Sequence, residues 1–295
     1  MRFVLIVNPR SGKKGSAEIL SIVKPIFDAS GATLSVIETV FAGHARELAT
    51  HLNLDEYDGF LALGGDGTFH EVVNGMLDRY DRKRIPIGII PGGSGNSFLH
   101  DLGLVDPIKA ARAIVSKRTR LVDTARIEMN HVVRYCINLI GWGLVTDVGE
   151  RAEQLRWLGP SRYTASSVIE IFLKKNRRAS LVIDGKTFVD DFTFIVACNS
   201  VHIGKGMKMA PHAKLDDGLI DLVIVQAGIT RRRLLSVLPK LFDGTHIKEP
   251  EVDYYQAASF SLFPETDGVL NIDGEMLGTT PIKVDMMQNA IEVFA

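Results

Sequence analysis

The stretch Leu61-Ala62-Leu63-Gly64-Gly65-Asp66-Gly67-Thr68-Phe69-His70-Glu71-Val72-Val73-Asn74-Gly75 decides how the rest of the chain is read. Gly59 to Leu63 is an apolar run with the length of a buried strand, and from Thr68 the apolar spacing turns helical. Gly64-Gly65-Asp66-Gly67 is therefore a strand-to-helix corner. Glycines without Cβ let backbone N–H groups close on an anion, and the N-terminus of the following helix adds the positive end of its dipole. Asp66 is the odd member, because it sets a negative charge where a phosphate is welcome. It either satisfies backbone donors in the turn or carries chemistry. Thr68-x-x-Glu71 has the pattern of a capping box, which gives Glu71 a structural role rather than a catalytic one.

Toward the N-terminus, Phe3 to Val7 reads as a strand, followed by the basic, glycine-bearing loop Asn8-Pro9-Arg10-Ser11-Gly12-Lys13-Lys14-Gly15. A helix opens at Ser16, with Ile19, Val23, Ile26 and Phe27 at helical spacing up to Gly31 and a kink implied at Pro25. Ala32 to Glu38 is a second strand and Gly43 to Leu52 a second helix. Beyond the corner, Pro86 to Ile90 is a short buried strand leading into Pro91-Gly92-Gly93-Ser94-Gly95-Asn96-Ser97-Phe98, another glycine loop. A helix from Asp106 to Lys117 closes this half. Alternating strands and helices make a mostly parallel sheet covered by helices, where ligands bind at the carboxyl ends of the strands. The loops after Val7, Leu63 and Ile90 all stand at such ends.

After Leu121 the rhythm changes to short strands: Ala125 to Glu128, Val132 to Ile140, Ser180 to Ile183, Phe188 to Ala197, Leu219 to Val225, Ser259 to Phe263, Val269 to Ile272 and Pro281 to Val284. Asp184-Gly185 and Asp273-Gly274 are hairpin turns between them. Helical spacing returns at Asp147 to Trp157, Ser161 to Lys174 and Arg231 to Phe242. A mainly antiparallel sandwich follows. The last of these helices starts basic and carries Leu234, Leu235, Leu238, Leu241 and Phe242 on one face, which either lies on an anionic membrane surface or packs onto the sandwich.

A chain of 295 residues suggests two domains, on a prior of about 100–200 residues per domain. They divide at 1–122 and 123–295, with the last strand able to return to the first. A net charge of −1 argues against a nucleic-acid binder held by overall basicity. Cys136 and Cys198 sit in apolar, strand-like contexts and read as buried free thiols in a reducing cytosol. The apolar start is too short for a signal h-region. No stretch reaches the roughly 18 apolar residues of a membrane span, so membrane contact is expected to be peripheral.

The motifs together resemble the lipid kinases that comprise bacterial diacylglycerol kinases and eukaryotic sphingosine and ceramide kinases. Asn8-Pro9-x-Ser11-Gly12, Gly64-Gly65-Asp66-Gly67-Thr68 with Glu71-Val-Val-Asn-Gly75, Pro91-Gly-Gly-Ser-Gly-Asn96, Leu215-Asp-Asp217-Gly-Leu-Ile-Asp221 and Asp273-Gly-Glu275 occur in that family's order. Gly-Gly-Asp-Gly-Thr alone also resembles a motif of NAD kinases and, in variant form, of phosphofructokinases. The resemblance implies an α/β nucleotide-binding domain of phosphofructokinase and NAD-kinase type, followed by a β-sandwich that receives the lipid. ATP and Mg²⁺ are the implied cofactors. The implied setting is cytoplasmic, with a lipid substrate at a membrane surface, no nucleic acid and a possible homodimer.

Residue by residue, the resemblance assigns nucleotide contacts to Asn8, Pro9, Arg10, Ser11, Gly12, Thr39, Gly65, Gly67, Thr68 and Ser94, and phosphate contacts to Arg156 and Arg162. Such a mixture of backbone N–H groups, hydroxyls and cations suits a triphosphate. Asp66 and Glu275 match the family's catalytic carboxylates. A lipid hydroxyl is a poor nucleophile near neutral pH, and a positioned base contributes about 10²–10⁴-fold. Asp66 could be that base or hold Mg²⁺. Asp217, with carbonyls at Lys214 and Leu219, resembles a structural Mg²⁺ site, and its alternative is a plain Asp-Gly turn. Asn96 and Asp147 are the substrate-side candidates. Gly141-Trp-Gly143, Asp147 and Arg156 to Tyr163 look closer to sphingosine and ceramide kinases. Gly149, however, stands where sphingosine kinases carry an amine-recognising Asp, which only Asp147 or Glu150 could replace. The prevalence of diacylglycerol kinases in the family then favours diacylglycerol or a related lipid as acceptor. Alternatives are a sphingosine- or ceramide-type kinase, a soluble-substrate kinase like NAD kinase, and a non-catalytic nucleotide sensor, whose expected loss of Asp66 or Glu275 is absent here.

Overall fold

The computed structural model describes residues 1–9, 11, 15–93, 95–204 and 206–295. The chain forms two compact units, Met1–Thr124 with Gly204–Gly206 and Gln288–Ala295, and Ala125–Ile203 with Met207–Met287.

The first unit runs β1 (Arg2–Val7), α1 (Ser16–Ala29), β2 (Thr33–Glu38), α2 (His44–His51), β3 (Gly59–Gly64), α3 (Asp66–Leu77), β4 (Ile87–Pro91), α4 (Ser97–Leu102) and α5 (Pro107–Val115). The sheet order β2-β1-β3-β4 is parallel throughout, with Val7 opposite Leu63 and Gly64 opposite Pro91. That register brings the carboxyl ends of β1, β3 and β4 level. β3 and β4 are buried along their whole length, as strands covered on both faces must be. Phe3, Leu5, Leu61 and Leu63 of the sheet pack with Val23 and Phe27 of α1.

The capping box is not realised. α3 opens at Asp66, so Thr68 is already inside the helix and cannot cap it. Glu71 instead reaches across to α2, where Oε1 accepts the Gly43 N–H at 2.9 Å and Oε2 the Ala45 N–H at 3.1 Å. A carboxylate there meets the free donors and the positive dipole end of another helix. The role is structural, on a different helix from the one the spacing indicated. α5 shows its signature openly: Pro107 starts it, and Asp106 Oδ1 accepts the Lys109 N–H at 2.9 Å.

The second unit takes up β5 (Thr119–Met129), which begins in the first, and continues through β6 (Val132–Cys136), β7 (Leu139–Gly143), α6 (Leu144–Gln154), α7 (Arg162–Leu173), β8 (Arg177–Ile183), β9 (Lys186–Cys198), β10 (His202–Ile203), β11 (Met207–Lys208), β12 (Ile220–Gln226), α8 (Arg231–Val237), β13 (Val252–Ala257), β14 (Ser259–Pro264), β15 (Val269–Ile272), β16 (Glu275–Thr279) and β17 (Ile282–Phe294). Pairing within it is antiparallel, β9 serving as the hub for β7, β8 and β12. Its core joins Ile127, Ile140, Trp142, Leu181, Ile195, Leu222 and Phe260. The far end of β17 pairs parallel to β4, Val293 opposite Ile87, within the first unit.

Three sequence expectations fail locally in this unit. Val132 to Ile140 is two strands and not one, because the N–H groups of Ile137, Asn138 and Leu139 are spent on the carboxylate of Asp273. β13 and β16 were not anticipated; Gly278, at φ 71, interrupts the pattern of β16. The helix expected from Arg231 to Phe242 is α-helical only to Val237 and then tightens into a 3-10 turn, Leu238–Leu241, where Pro239 has no N–H to offer. Its apolar face is turned inward except at Phe242, which is 59% exposed. Leu234 is buried, and Leu235, Leu238 and Leu241 pack against the same core cluster. Arg233 and Lys240 are engaged by Glu249, and Arg233 also by Glu251. The leucines of this face pack onto the second unit, as the packing alternative has it.

Candidate active site

In the first unit the chain closes three loops on one another. Gly92 and Gly93 donate their N–H groups to the Gly64 carbonyl at 2.7 and 3.2 Å. A Cβ on Gly93 would stand 2.6 Å from the Cα of Gly65, and one on Gly92 2.9 Å from Ser11 Oγ. Only glycine permits that approach. Ser11 Oγ donates to the Asn8 carbonyl at 3.0 Å, and Asn8 Nδ2 donates to Thr68 Oγ1 at 3.2 Å. Backbone N–H groups, two hydroxyls and an amide thus gather at the level carboxyl ends of β1, β3 and β4.

Asp66 stands half-buried on the first residue of α3, where the helix dipole stabilises negative charge. Ser97 Oγ donates to its Oδ2 at 3.4 Å. A Cβ on Gly95 would lie 2.8 Å from that same oxygen. A side chain at position 95 would therefore press on the carboxylate, which glycine avoids. Nothing in the sequence sets Ser97 and Gly95 apart beyond their place in the glycine loop Pro91 to Phe98. Gly65 and Gly67 flank Asp66 and are half-buried. Asn96 adopts a left-handed conformation at φ 50, donates to the Gly93 carbonyl at 3.1 Å, and leaves its buried Oδ1 without a partner among the described residues. Thr39 follows β2, its N–H donated to the Val7 carbonyl at 2.9 Å. Pro9 occupies the turn after Asn8. Arg10, Gly12 and Ser94 lie outside the described residues.

In the second unit Glu275 is the first residue of β16, opposite Ile272 of β15. Its side chain is exposed, and it makes no hydrogen bond or ion pair among the described residues. Asp273, two residues earlier and overlooked as a site residue, is 4% exposed. It holds the hairpin tip against the start of β7. Only the pairing of Asp-Gly with Glu275 in the sequence hinted at it.

The remaining candidates are engaged locally. Asp147 on α6 takes a two-pronged contact from Arg177 Nη2, at 2.7 and 2.8 Å. Arg162 lies 3.5 Å from Glu153 and stacks over the Tyr163 ring at 4.9 Å. Arg156 begins a 3-10 turn, and its side chain lies outside the description. Asp217 Oδ1 accepts the Leu219 N–H at 3.1 Å, closing a turn ahead of β12, while Lys214 is exposed. No group of three or more His, Cys, Asp or Glu side chains is arranged for a metal among the described residues. Mg²⁺ bound with a nucleotide needs only one or two protein carboxylates, the phosphates and water supplying the rest, so Asp66 beside the glycine loops fits such an ion. Cys136 and Cys198 are buried and unbridged.

The two halves match two family models. Residues 2–127 match the diacylglycerol kinase catalytic domain and residues 138–295 the YegS C-terminal NAD kinase beta sandwich-like domain. A diacylglycerol kinase of Staphylococcus carnosus is 31% identical, over 98% of this chain and 94% of its own. Sphingosine kinase 1 of Arabidopsis thaliana is 30% identical over 94% of this chain and 68% of its own. Among solved structures, a diacylglycerol kinase from Bacillus anthracis shares the fold with a TM-score of 0.80 at 24% identity, covering 99% of this chain and 96% of that one. An NAD kinase from Archaeoglobus fulgidus in complex with ATP shares it at 0.53 and 11% identity, over 100% and 94%. Fold and motifs define a kinase. The chain belongs to the lipid kinase family in which diacylglycerol and sphingosine kinases meet, and such a kinase implies ATP as co-substrate.

Proposed function

We propose that this kinase transfers the γ-phosphate of ATP to the hydroxyl of diacylglycerol or a related neutral lipid, with Asp66 and Glu275 as its working carboxylates. The observation that carries the reading is Asp66 on the first turn of α3, set among the closed glycine loops, with Ser97 donating to its Oδ2 and glycine at position 95, where a Cβ would press on that oxygen at 2.8 Å. Backbone N–H groups of the loops, with Asn8, Ser11, Gly65, Gly67 and Thr68, hold the phosphates, and Thr39 extends that surface. Mg²⁺, when bound, neutralises phosphate charge, and Asp66 would be its protein ligand if it is not the base. Glu275 then takes the other duty. Arg156 and Arg162 are assigned to phosphate by the family resemblance.

A neutral acceptor is supported by α6. Asp147 is already compensated by Arg177, and a Cβ on Gly149 would lie 2.0 Å from Met276 Cε, so neither position offers a free carboxylate to a cationic head group. Peripheral membrane contact is assigned to α7 in place of α8. Phe172 and Leu173 are 58% and 52% exposed, and beside them Lys174, Arg231 and Arg232 line a depression of about 440 Å³. Exposed apolar groups next to cations suit an anionic bilayer. Among the described residues no helix is long and apolar enough to cross one.

Labelled ATP offered with micellar diacylglycerol, monoacylglycerol, sphingosine and ceramide, and with NAD as a soluble control, tests the assignment. Label in diacylglycerol or monoacylglycerol is expected. Label in NAD alone would overturn the lipid reading, and label chiefly in sphingosine would move the acceptor to the sphingoid class.

A further inference from the structure

Asp-Gly at a two-residue hairpin usually leaves the Asp in water; here it does not. Asp273 and Gly274 have φ of 53° and 95°, the backbone of a type I′ turn, yet the Asp273 side chain is sunk in the second unit. Its Oδ1 accepts the Cys136 thiol at 3.1 Å and the N–H groups of Asn138 and Leu139 at 2.8 and 3.1 Å. Oδ2 accepts the Ile137 N–H at 3.2 Å, and the Asp273 N–H is donated to the Leu139 carbonyl at 2.9 Å. The segment so gripped is also held from its other side. The Asn199 N–H reaches the Asn138 carbonyl at 2.9 Å, and Asn199 Nδ2 reaches the Ile137 carbonyl at 3.1 Å.

A buried carboxylate is costly, and a hairpin of this type closes without one. What four donors on one carboxylate do supply is rigidity. The tip of β15–β16 cannot rock relative to β7, and Glu275 is the first residue past that tip. Glu275 itself has no partner among the described residues to hold it, so its aim is inherited from the backbone beneath it.

We propose that Asp273 is a positioning residue, which fixes the direction of Glu275 by clamping the hairpin tip to Ile137–Leu139 through the Cys136–Asp273 network. The inference rests on the catalytic reading of Glu275 and extends it. Displacements of about 1 Å at a reacting group cost about 10²-fold in rate. Asp273→Asn keeps the shape but sets an NH₂ or a weaker acceptor against backbone donors. It is expected to lower kcat about 10²-fold, while KM for ATP stays unchanged.

The decisive comparison is a double-mutant cycle with Glu275→Gln. Asp273→Asn added to Glu275→Gln is expected to cause no further loss, whereas general damage would lower the residual activity again by the same factor. Full kcat in Asp273→Asn, or a second full loss in the double variant, overturns the positioning role while leaving Glu275 catalytic. Wild-type turnover in Glu275→Gln alone overturns the role assigned to Glu275 and the clamp with it. If Asp273→Asn does not fold, Cys136→Ala, which removes a single donor, is run through the same cycle. A several-fold kcat loss that vanishes beside Glu275→Gln supports the clamp, and an unchanged kcat overturns it.

Discussion

Asp66 and Glu275 each open an element, one a helix and the other a strand, but they are held in opposite ways. Around Asp66 the chain removes side chains. Gly65, Gly93 and Gly95 leave room that any Cβ would fill, and the carboxylate rests on a helix terminus with Ser97 at 3.4 Å. Around Glu275 the chain adds them: a neighbouring carboxylate is buried at 4% exposure and bound by a thiol and three backbone N–H groups. One carboxylate is framed by absence, the other by a clamp. The first arrangement should therefore be broken by adding atoms, the second by removing acceptors.

The largest effect is expected from Asp66→Asn. If this carboxylate takes the proton or the ion, steady-state kcat falls by about 10²–10⁴-fold at unchanged nucleotide affinity. Next is the clamp, where Asp273→Asn sits about 10²-fold below wild type and shows no additional loss beside Glu275→Gln. Adding one methyl at Gly93 sharpens the contrast on the other side. Its Cβ would meet Gly65 backbone, which cannot swing aside like a side chain. With overpacking costing about 1–3 kcal/mol, Gly93→Ala should raise KM for ATP about tenfold or more. Equal losses in kcat with KM intact would show that the loops do not shape the nucleotide site.

The smallest catalytic effect is expected on α7. Phe172→Ser with Leu173→Ser should weaken binding to anionic vesicles about tenfold or more, as full burial of a large apolar side chain contributes about 1.5–3 kcal/mol and each of these two, already half covered, gains about half of that. Turnover of a short-chain, monomeric lipid should not change. Vesicle binding that survives this pair but is lost on replacing the α8 leucines would return the membrane face to α8.

This contrast also decides what could be read from the sequence. The Asp66 corner is local: strand, glycines, carboxylate and helix follow within Gly59–Leu77, so their order alone gives the geometry. The parallel alternation of the first unit was legible for the same reason. Asp273 was not, because its partners at Cys136–Leu139 lie more than 130 positions away in the chain. That distance also concealed the break between β6 and β7. Glu71 was correctly placed among structural residues, but its donors lie on α2, and a four-residue pattern carries no sign of a neighbouring helix. For α8 and α7 the periodicity was sound, yet apolar spacing marks a face without saying what covers it. Leu234 is covered by the sandwich core and Phe172 is not.

The most direct test separates binding from transfer at Asp66. ATP is titrated onto wild type and Asp66→Asn, and label transfer to diacylglycerol micelles is then followed in a single turnover at saturating nucleotide. ATP affinity within about twofold and transfer slowed by about 10²-fold or more is the predicted result. Transfer at the wild-type rate would contradict it.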